Sequence, residues 1–278
     1  MMIYGNKALE LIEIEENLYL EQLGLDILNE VNIEGIKERW LEFCKRINEF
    51  FGNISLYFSF LSLEKKGKGL LKAYNELSEE EKKHMNSVLH IQSDQGKHTI
   101  LFADTSTIIN ETKKLLSDID TLDQLCTSLL DSATRGEDID DSKLSSMDEK
   151  RDECNKAVNK IGYRISTFSG GGKRVELGSD FTFNVAVEKL IKEYQEFGKL
   201  AKAIEDTMKH KLSDNLIDKL LAKLDSGAGD SDVSTIISSL TTTRTMVVNI
   251  AKALYKTTAI ANKELFAMQT ILKVKIDN

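Results

Sequence analysis

The sequence predicts an all-α protein, an elongated bundle of long antiparallel helices with coiled-coil-like seams. Two observations support this fold class. No proline occurs among the 278 residues, although average usage would give roughly fourteen, and proline interrupts helices because it removes a backbone donor and clashes with the preceding turn. In addition, apolar residues recur at alternating steps of three and four, which lines one face of a helix. A small midchain β-hairpin is the one predicted departure from helical structure.

The first two predicted helices cover residues 6–30 and 33–66. The second carries a seam, by which we mean a stripe of apolar residues along one helix face. We expect Gly67 and Gly69 to end this helix. The seam residues are Ile36, Trp40, Phe43, Ile47, Phe50, Ile54, Tyr57 and Leu61.

The most regular seam lies between residues 97 and 131. Before it, Ser78 and Glu81 match a capping box, in which each side chain accepts a hydrogen bond from the other residue's amide. After it, residues 132–142 form an acidic loop, and the seam then resumes with Arg151 as a charged member. The seam positions within 97–131 are Leu101, Thr105, Ile108, Thr112, Leu115, Ile119, Leu122, Cys126 and Leu129.

The period changes to two between residues 163 and 183, and Ser169 to Gly172 supply the backbone freedom that a turn requires. We therefore predict a β-hairpin head over residues 163–183, set within one elongated domain that spans residues 1–278. Helices follow from Val187 to about residue 225 and over residues 232–276. The apolar residues that alternate with polar ones in the head are Val175, Leu177, Phe181 and Phe183.

The net charge of the chain limits the classes of partner that it can bind. With 37 Lys and Arg against 45 Asp and Glu, the net charge is -8, which disfavours nucleic acid as a partner and disfavours a membrane scaffold with a basic face. No basic region followed by an apolar core opens the sequence, and no apolar run approaches the roughly 18 residues of a membrane-spanning helix. We expect a protein that is made soluble in the cytoplasm without a signal peptide, which leaves open its release without a signal peptide to act at a target membrane.

We predict no catalytic, cofactor-binding or metal-binding residues, and therefore no enzyme. Gly171-Gly172-Lys173 departs from a phosphate-binding loop, which requires a glycine at the position of Thr167 and a Ser or Thr at that of Arg174. The histidines lack metal-ligand spacing. The three cysteines fall on predicted seams, where a free thiol behaves as a small hydrophobe.

Two features could face a membrane or a partner. The first is the uncharged run, residues 50–63, which reads FFGNISLYFSFLSL. A helix that is apolar on most sides is buried centrally, meets a partner or enters lipid. The second is the midchain head. The candidate membrane- or partner-facing residues are Phe50, Phe51, Tyr57, Phe58, Phe60, Phe168, Val175, Leu177, Phe181 and Phe183.

The order of these elements resembles the cytolysin A superfamily of α-helical pore-forming toxins, which includes haemolysin BL-type and xenorhabdolysin-type components. In that comparison Arg164 to Phe183 correspond to the head that lies between two long helices. The resemblance implies a helical rod that binds a target membrane and oligomerises there into a pore, alone or with a companion toxin component. The head is more charged than a lytic tongue, since it carries Lys173, Arg174, Glu176 and Asp180. Either the uncharged run inserts instead, or the chain is one component of a multicomponent cytolysin.

Another class of function is compatible with the same pattern. A coiled-coil scaffold or adaptor would bind a protein partner through its helix faces and would not bind lipid. A helical enzyme of unrecognised type is a third reading, for which the sequence offers no candidate acid, base or nucleophile.

Overall fold

The computed structural model describes residues 22, 25–27, 32–53, 55–94, 105–169, 182–213, 216–224 and 230–276. Within these ranges the chain forms eight α-helices and no strand. The all-α class is thereby confirmed, whereas the elongated overall arrangement stays a prediction. The helices are α1 (Ile33–Asn53), α2 (Leu56–Asn75), α3 (Glu79–Asp94), α4 (Thr105–Thr134), α5 (Asp141–Ser169), α6 (Phe183–Ser213), α7 (Leu216–Lys223) and α8 (Asp230–Ile276).

The predicted β-hairpin over residues 163–183 is wrong at both ends. Helix α5 continues to Ser169, and α6 begins at Phe183; residues 170–181 lie outside the described residues. The alternation of Phe181 and Phe183 spans too few residues to separate a strand from a helix start. Phe183 is instead a fully buried first residue of a helix. Its amide, which has no partner within the helix, donates a hydrogen bond of 2.9 Å to Asn86 Oδ1.

The chain forms two compact units. Unit 1 comprises residues 1–54, 114–159 and 204–250, and unit 2 comprises residues 55–113, 160–203 and 251–278. In unit 1, the first half of α8 is the most enclosed helix, because no residue from Val233 to Ile250 is exposed.

Helices α1 and α2 are separate, although the sequence predicted one helix over residues 33–66. Ser55 interrupts the helix with φ -105° and ψ 86°. The interruption changes the helical phase, so the seam does not continue to Tyr57 and Leu61, which are only half-buried. The buried residues of α2 are Leu56, Phe60, Leu63, Gly67 and Tyr74.

The prediction that Gly67 and Gly69 end a helix is also wrong, because α2 passes through both and reaches Asn75. Gly67 is instead needed for packing. A Cβ at Gly67 would lie 2.8 Å from Ile191 Cγ1 of α6, whereas a Cβ at Gly69 would meet nothing within 4 Å. The glycine therefore lets the backbone of α2 approach α6 closely.

Helices α2 and α6 pack antiparallel within unit 2. The Phe60 ring stacks on Phe197 with centroids 5.5 Å apart, and the Tyr74 ring stacks on Phe183 with centroids 5.0 Å apart. The contact of Gly67 with Ile191 lies between the two stacked pairs. Residues later in α2 therefore contact residues earlier in α6, which makes the two helices antiparallel.

The capping box is confirmed, and so are most positions of the later seams whose side chains the structure describes. Ser78 N donates to Glu81 Oε2 over 2.7 Å, and Glu81 N donates to Ser78 Oγ over 3.3 Å. In α5, Arg151 is half-buried and pairs with Asp148 at 2.8 Å. Predicted seam residues of α4, α6 and α8 that are buried include Ile108, Thr112, Leu115, Ile119, Leu122, Cys126, Leu129, Val187, Leu190, Tyr194, Phe197, Ala201, Ile204, Met208, Leu240, Val247, Ala251, Leu254, Ala261, Leu265, Met268 and Leu272.

Two glycine substitutions test the close approach of α2 and α6. We expect Gly67→Ala to lower the free energy of unfolding by about 1–2 kcal/mol, because the new methyl overlaps Ile191, a β-branched residue with little rotamer freedom. Gly69→Ala is the matched control and should raise it by about 0.5–1 kcal/mol, because alanine favours the helix and meets no neighbour there. Urea unfolding followed by circular dichroism measures both changes. Equal effects of the two substitutions would contradict the packing role of Gly67.

Candidate functional site

The uncharged run is mostly buried. Phe50 and Phe51, near the end of α1, are 4% and 8% exposed, and Phe60 in α2 is 1% exposed. Tyr57 is half-buried. Phe58 is the exception, with 65% of its surface exposed. Only one ring of the run is therefore largely free to meet a membrane or a partner without a change in helix packing.

The candidate residues of the midchain head do not form a described surface. Phe183 is fully buried and belongs to the core of unit 2. Phe168 lies in α5, and its side chain is outside the described part of the structure. Val175, Leu177 and Phe181 lie outside the described residues, so their membrane- or partner-facing role stays a prediction.

Phe58 marks one end of the outward face of α2, a name we use for Phe58, Ser62, Lys65, Gly69 and Lys72. These five residues are all exposed. They follow one stripe, because residues four, seven, eleven and fourteen positions apart lie close together around a helix. The opposite side of α2 carries the buried Phe60 and Gly67.

The outward face begins next to an aromatic pair with a cation nearby. The rings of Tyr57 and Phe58 lie with their centroids 5.6 Å apart and their planes at 60°. Lys202 Nζ of α6 lies 5.8 Å from the centroid of the Tyr57 ring. A cation over an exposed aromatic face contributes about 0.5–1 kcal/mol, which favours the position of the Tyr57 ring beside α6, while the Phe58 ring is 65% exposed.

Beneath this surface, unit 2 contains a small cleft. Its volume of about 20 Å³ has room for about one water molecule, whereas pockets for small ligands measure roughly 300–1,000 Å³. The Tyr194 hydroxyl at the cleft donates to Ala261 O over 3.1 Å. Burial, followed by the nearby carboxylates of Glu264 and Glu193, raises the pKa of Tyr194. The cleft therefore holds a neutral phenol in a helix contact and is too small for an organic substrate.

Unit 1 contains a buried polar cluster around Arg244 that the sequence analysis missed. Arg244 Nη1 lies 3.1 Å from Asp123 Oδ1, and their side chains are 4% and 12% exposed. The guanidinium carbon lies 5.1 Å from the centroid of the Trp40 ring, and Trp40 Nε1 donates to Asp218 Oδ1 over 2.9 Å. The available signal was the single arginine in the otherwise uncharged stretch from Val233 to Ala251.

The three cysteines belong to the helix packing. Cys126 and Cys154 are buried as predicted, whereas Cys44 is half-buried, and all three are free. Desolvation raises the pKa of Cys44 and of Cys126 to about 12 and that of Cys154 to about 11. Because the thiolate is the reactive form, burial lowers the reactivity of these thiols at neutral pH.

Substitutions in the Arg244 cluster test its contribution to stability. Arg244→Met should lower the free energy of unfolding by about 3–5 kcal/mol, because Asp123 then keeps a buried charge without the guanidinium. A second change, Asp123→Leu, made together with Arg244→Met should recover most of that loss, since an apolar pair needs no charge desolvation. Urea unfolding measures each variant.

The half-buried Arg151 provides the control for the Arg244 cluster. Arg151→Met removes a more exposed ion pair and should cost less than about 1 kcal/mol. Equal losses for Arg244→Met and Arg151→Met would contradict the special role of the buried pair.

Comparisons with protein families, with curated proteins and with solved structures find no significant match to this chain. Among the described residues, no helix combines the length and apolar character needed to cross a bilayer. The same residues contain no group of three or more His, Cys, Asp or Glu side chains arranged to hold a metal ion.

Proposed function

We propose that this chain is a non-enzymatic, toxin-like helical protein that binds a target membrane and oligomerises there into a pore, alone or with a companion toxin component. The observation that carries the proposal is the exposure of Phe58 at the start of α2, within a run of fourteen uncharged residues. An exposed aromatic ring beside a tyrosine and a lysine is suited to the boundary between headgroups and acyl chains.

Membrane contact would proceed in two stages. Phe58 can enter the interface while α2 keeps its packing on α6, because the ring points away from that contact. Deeper insertion of the uncharged run would require Phe60 to leave Phe197, and each buried phenyl ring that is released costs about 1.5–3 kcal/mol. Contacts between protomers and with lipid would have to offset this cost, so oligomerisation and insertion would be coupled.

The burial of the other rings favours a second candidate, a coiled-coil scaffold or adaptor that binds a protein partner. Phe50, Phe51 and Phe60 are then ordinary core residues, and Phe58 is a surface contact for the partner. This candidate predicts a stable dimer or heteromer that does not associate with lipid.

Flotation of the purified protein with liposomes, with dye release read from the same sample, tests the proposal. Phe58→Asp should leave the helical circular dichroism spectrum and the unfolding midpoint unchanged, because the side chain is largely exposed. It should weaken liposome binding by at least about tenfold, since the interface loses a phenyl ring worth about 1.5–3 kcal/mol. Binding with release indicates an autonomous pore former, and binding without release indicates one component of a set.

Phe266→Asp is the matched control, because Phe266 is a second phenylalanine of unit 2 with a similar exposure of 69%. It should bind liposomes as the unmodified chain does. If Phe58→Asp and Phe266→Asp weaken liposome binding equally, the loss reflects the added negative charge on the surface, and a specific role of Phe58 is contradicted. If the unmodified chain does not float with liposomes and forms a stable dimer, the scaffold candidate replaces the membrane proposal.

A further inference from the structure

The positive charge of the chain is concentrated in unit 2. That unit contains 21 Lys and Arg against 15 Asp and Glu, a net charge of +6, whereas unit 1 contains 16 against 30, a net charge of -14. The whole-chain value of -8 therefore conceals a basic unit. Because electrostatic attraction to a surface depends on the nearest charges and is screened beyond about 10 Å in salt, unit 2 can bind an anionic surface that the average charge would disfavour.

Helix α2, which carries Phe58, is one of the basic helices of this unit. It contains four lysines and a single carboxylate, Glu64. Lys65 and Lys72 lie on the outward face, two and four helical turns after Phe58. The stripe from Phe58 to Lys72 is about 21 Å long at 1.5 Å per residue. An aromatic ring and two cations thus lie in line on the side of α2 that faces away from the core.

Neighbouring groups leave the charges of this stripe available. Glu64 is engaged at the flank, where Oε1 lies 2.5 Å from Lys68 Nζ and accepts a hydrogen bond of 2.9 Å from Gln195 Nε2. The hydrogen bonds from Lys68 and Gln195 lower the pKa of Glu64. Lys72 Nζ lies 3.9 Å from Glu76 Oε1, and both side chains are more than two-thirds exposed, so this pair is weak.

We propose that the outward face of α2 binds the anionic headgroups of a phospholipid bilayer through Lys65 and Lys72, with Phe58 at the acyl boundary. This inference rests on the proposed membrane function and adds the class of lipid. The ammonium groups reach phosphate and carboxylate groups while their alkyl stems lie along the interface. Each lysine near an anionic bilayer strengthens binding by about fivefold, and Phe58 supplies the apolar contact that a purely electrostatic attachment lacks.

Flotation with phosphatidylcholine vesicles, prepared with and without phosphatidylserine, tests the inference on the full chain. The unmodified chain should bind the phosphatidylserine vesicles more tightly. The variant Lys65→Gln/Lys72→Gln should lose about 25-fold in affinity for those vesicles and keep its affinity for pure phosphatidylcholine. The control Lys143→Gln/Lys219→Gln changes two exposed lysines of unit 1 and should bind both vesicles as the unmodified chain does.

The outcomes separate the inference from the proposed function. Equal binding to both vesicles, unaffected by Lys65→Gln/Lys72→Gln, would overturn the lipid class while leaving membrane binding intact. Failure of the unmodified chain to bind either vesicle would overturn both. If inorganic phosphate displaces the chain more strongly than chloride of equal ionic strength, the face is a phosphate site, and the bilayer inference is wrong.

Discussion

The contact between α2 and α6 is the constraint on which the rest of this account depends. Gly67 brings the two backbones together, and Phe60 and Tyr74 stack on α6 on either side of that point. Once these three residues face α6, the rotation of α2 is fixed. Phe58, Lys65 and Lys72 therefore lie on the opposite side of α2 and face outward. The same packing that buries Phe60 thus leaves Phe58 exposed on the opposite side of α2.

Periodicity was sufficient to predict most of the helical structure. The strict seam of α4 and the seams of α6 and α8 are buried as their spacing indicates, and the local chemistry of Ser78 and Glu81 was enough to predict a helix start. These predictions were correct because each feature depends on residues within a few helical turns of one another. The all-α class follows from them and from the missing prolines.

Features that depend on tertiary contacts were not predictable from spacing. The interruption at Ser55 shifts the phase of α2, so Tyr57 and Leu61 lost the buried positions that an unbroken seam would give them. Gly67 looked like a terminator because its neighbour Ile191 is distant in sequence. The hairpin was inferred from an alternation too short to exclude a helix start, and Phe183 became a buried helix residue. Among the described candidate residues, Phe58 is the one that is largely exposed. The lysines in line with Phe58 were not predicted as part of the site, because the net charge of the whole chain is negative.

The aromatic residues of the uncharged run have two different roles. Phe60 stabilises the folded unit through α6, and Phe58 is available on the surface without any rearrangement. A protein with this division could attach to a membrane reversibly before any helix leaves the core. The buried Arg244 cluster stabilises unit 1 separately: Arg244 lies in the enclosed first half of α8, where Nη1 pairs with Asp123 and the guanidinium lies over the Trp40 ring.

The most direct test is a fluorescent probe at position 58. Because Cys126 and Cys154 are buried and Cys44 is half-buried, whereas position 58 is largely exposed, a Phe58→Cys variant can be labelled preferentially at position 58 with an environment-sensitive fluorophore. Leu41→Cys, at an exposed apolar position of α1, provides the control label. On vesicles that contain phosphatidylserine, the account predicts a blue-shifted emission for the probe at position 58 and an unchanged emission at position 41. A probe at position 58 that stays in water while the protein floats with the vesicles would contradict the central claim.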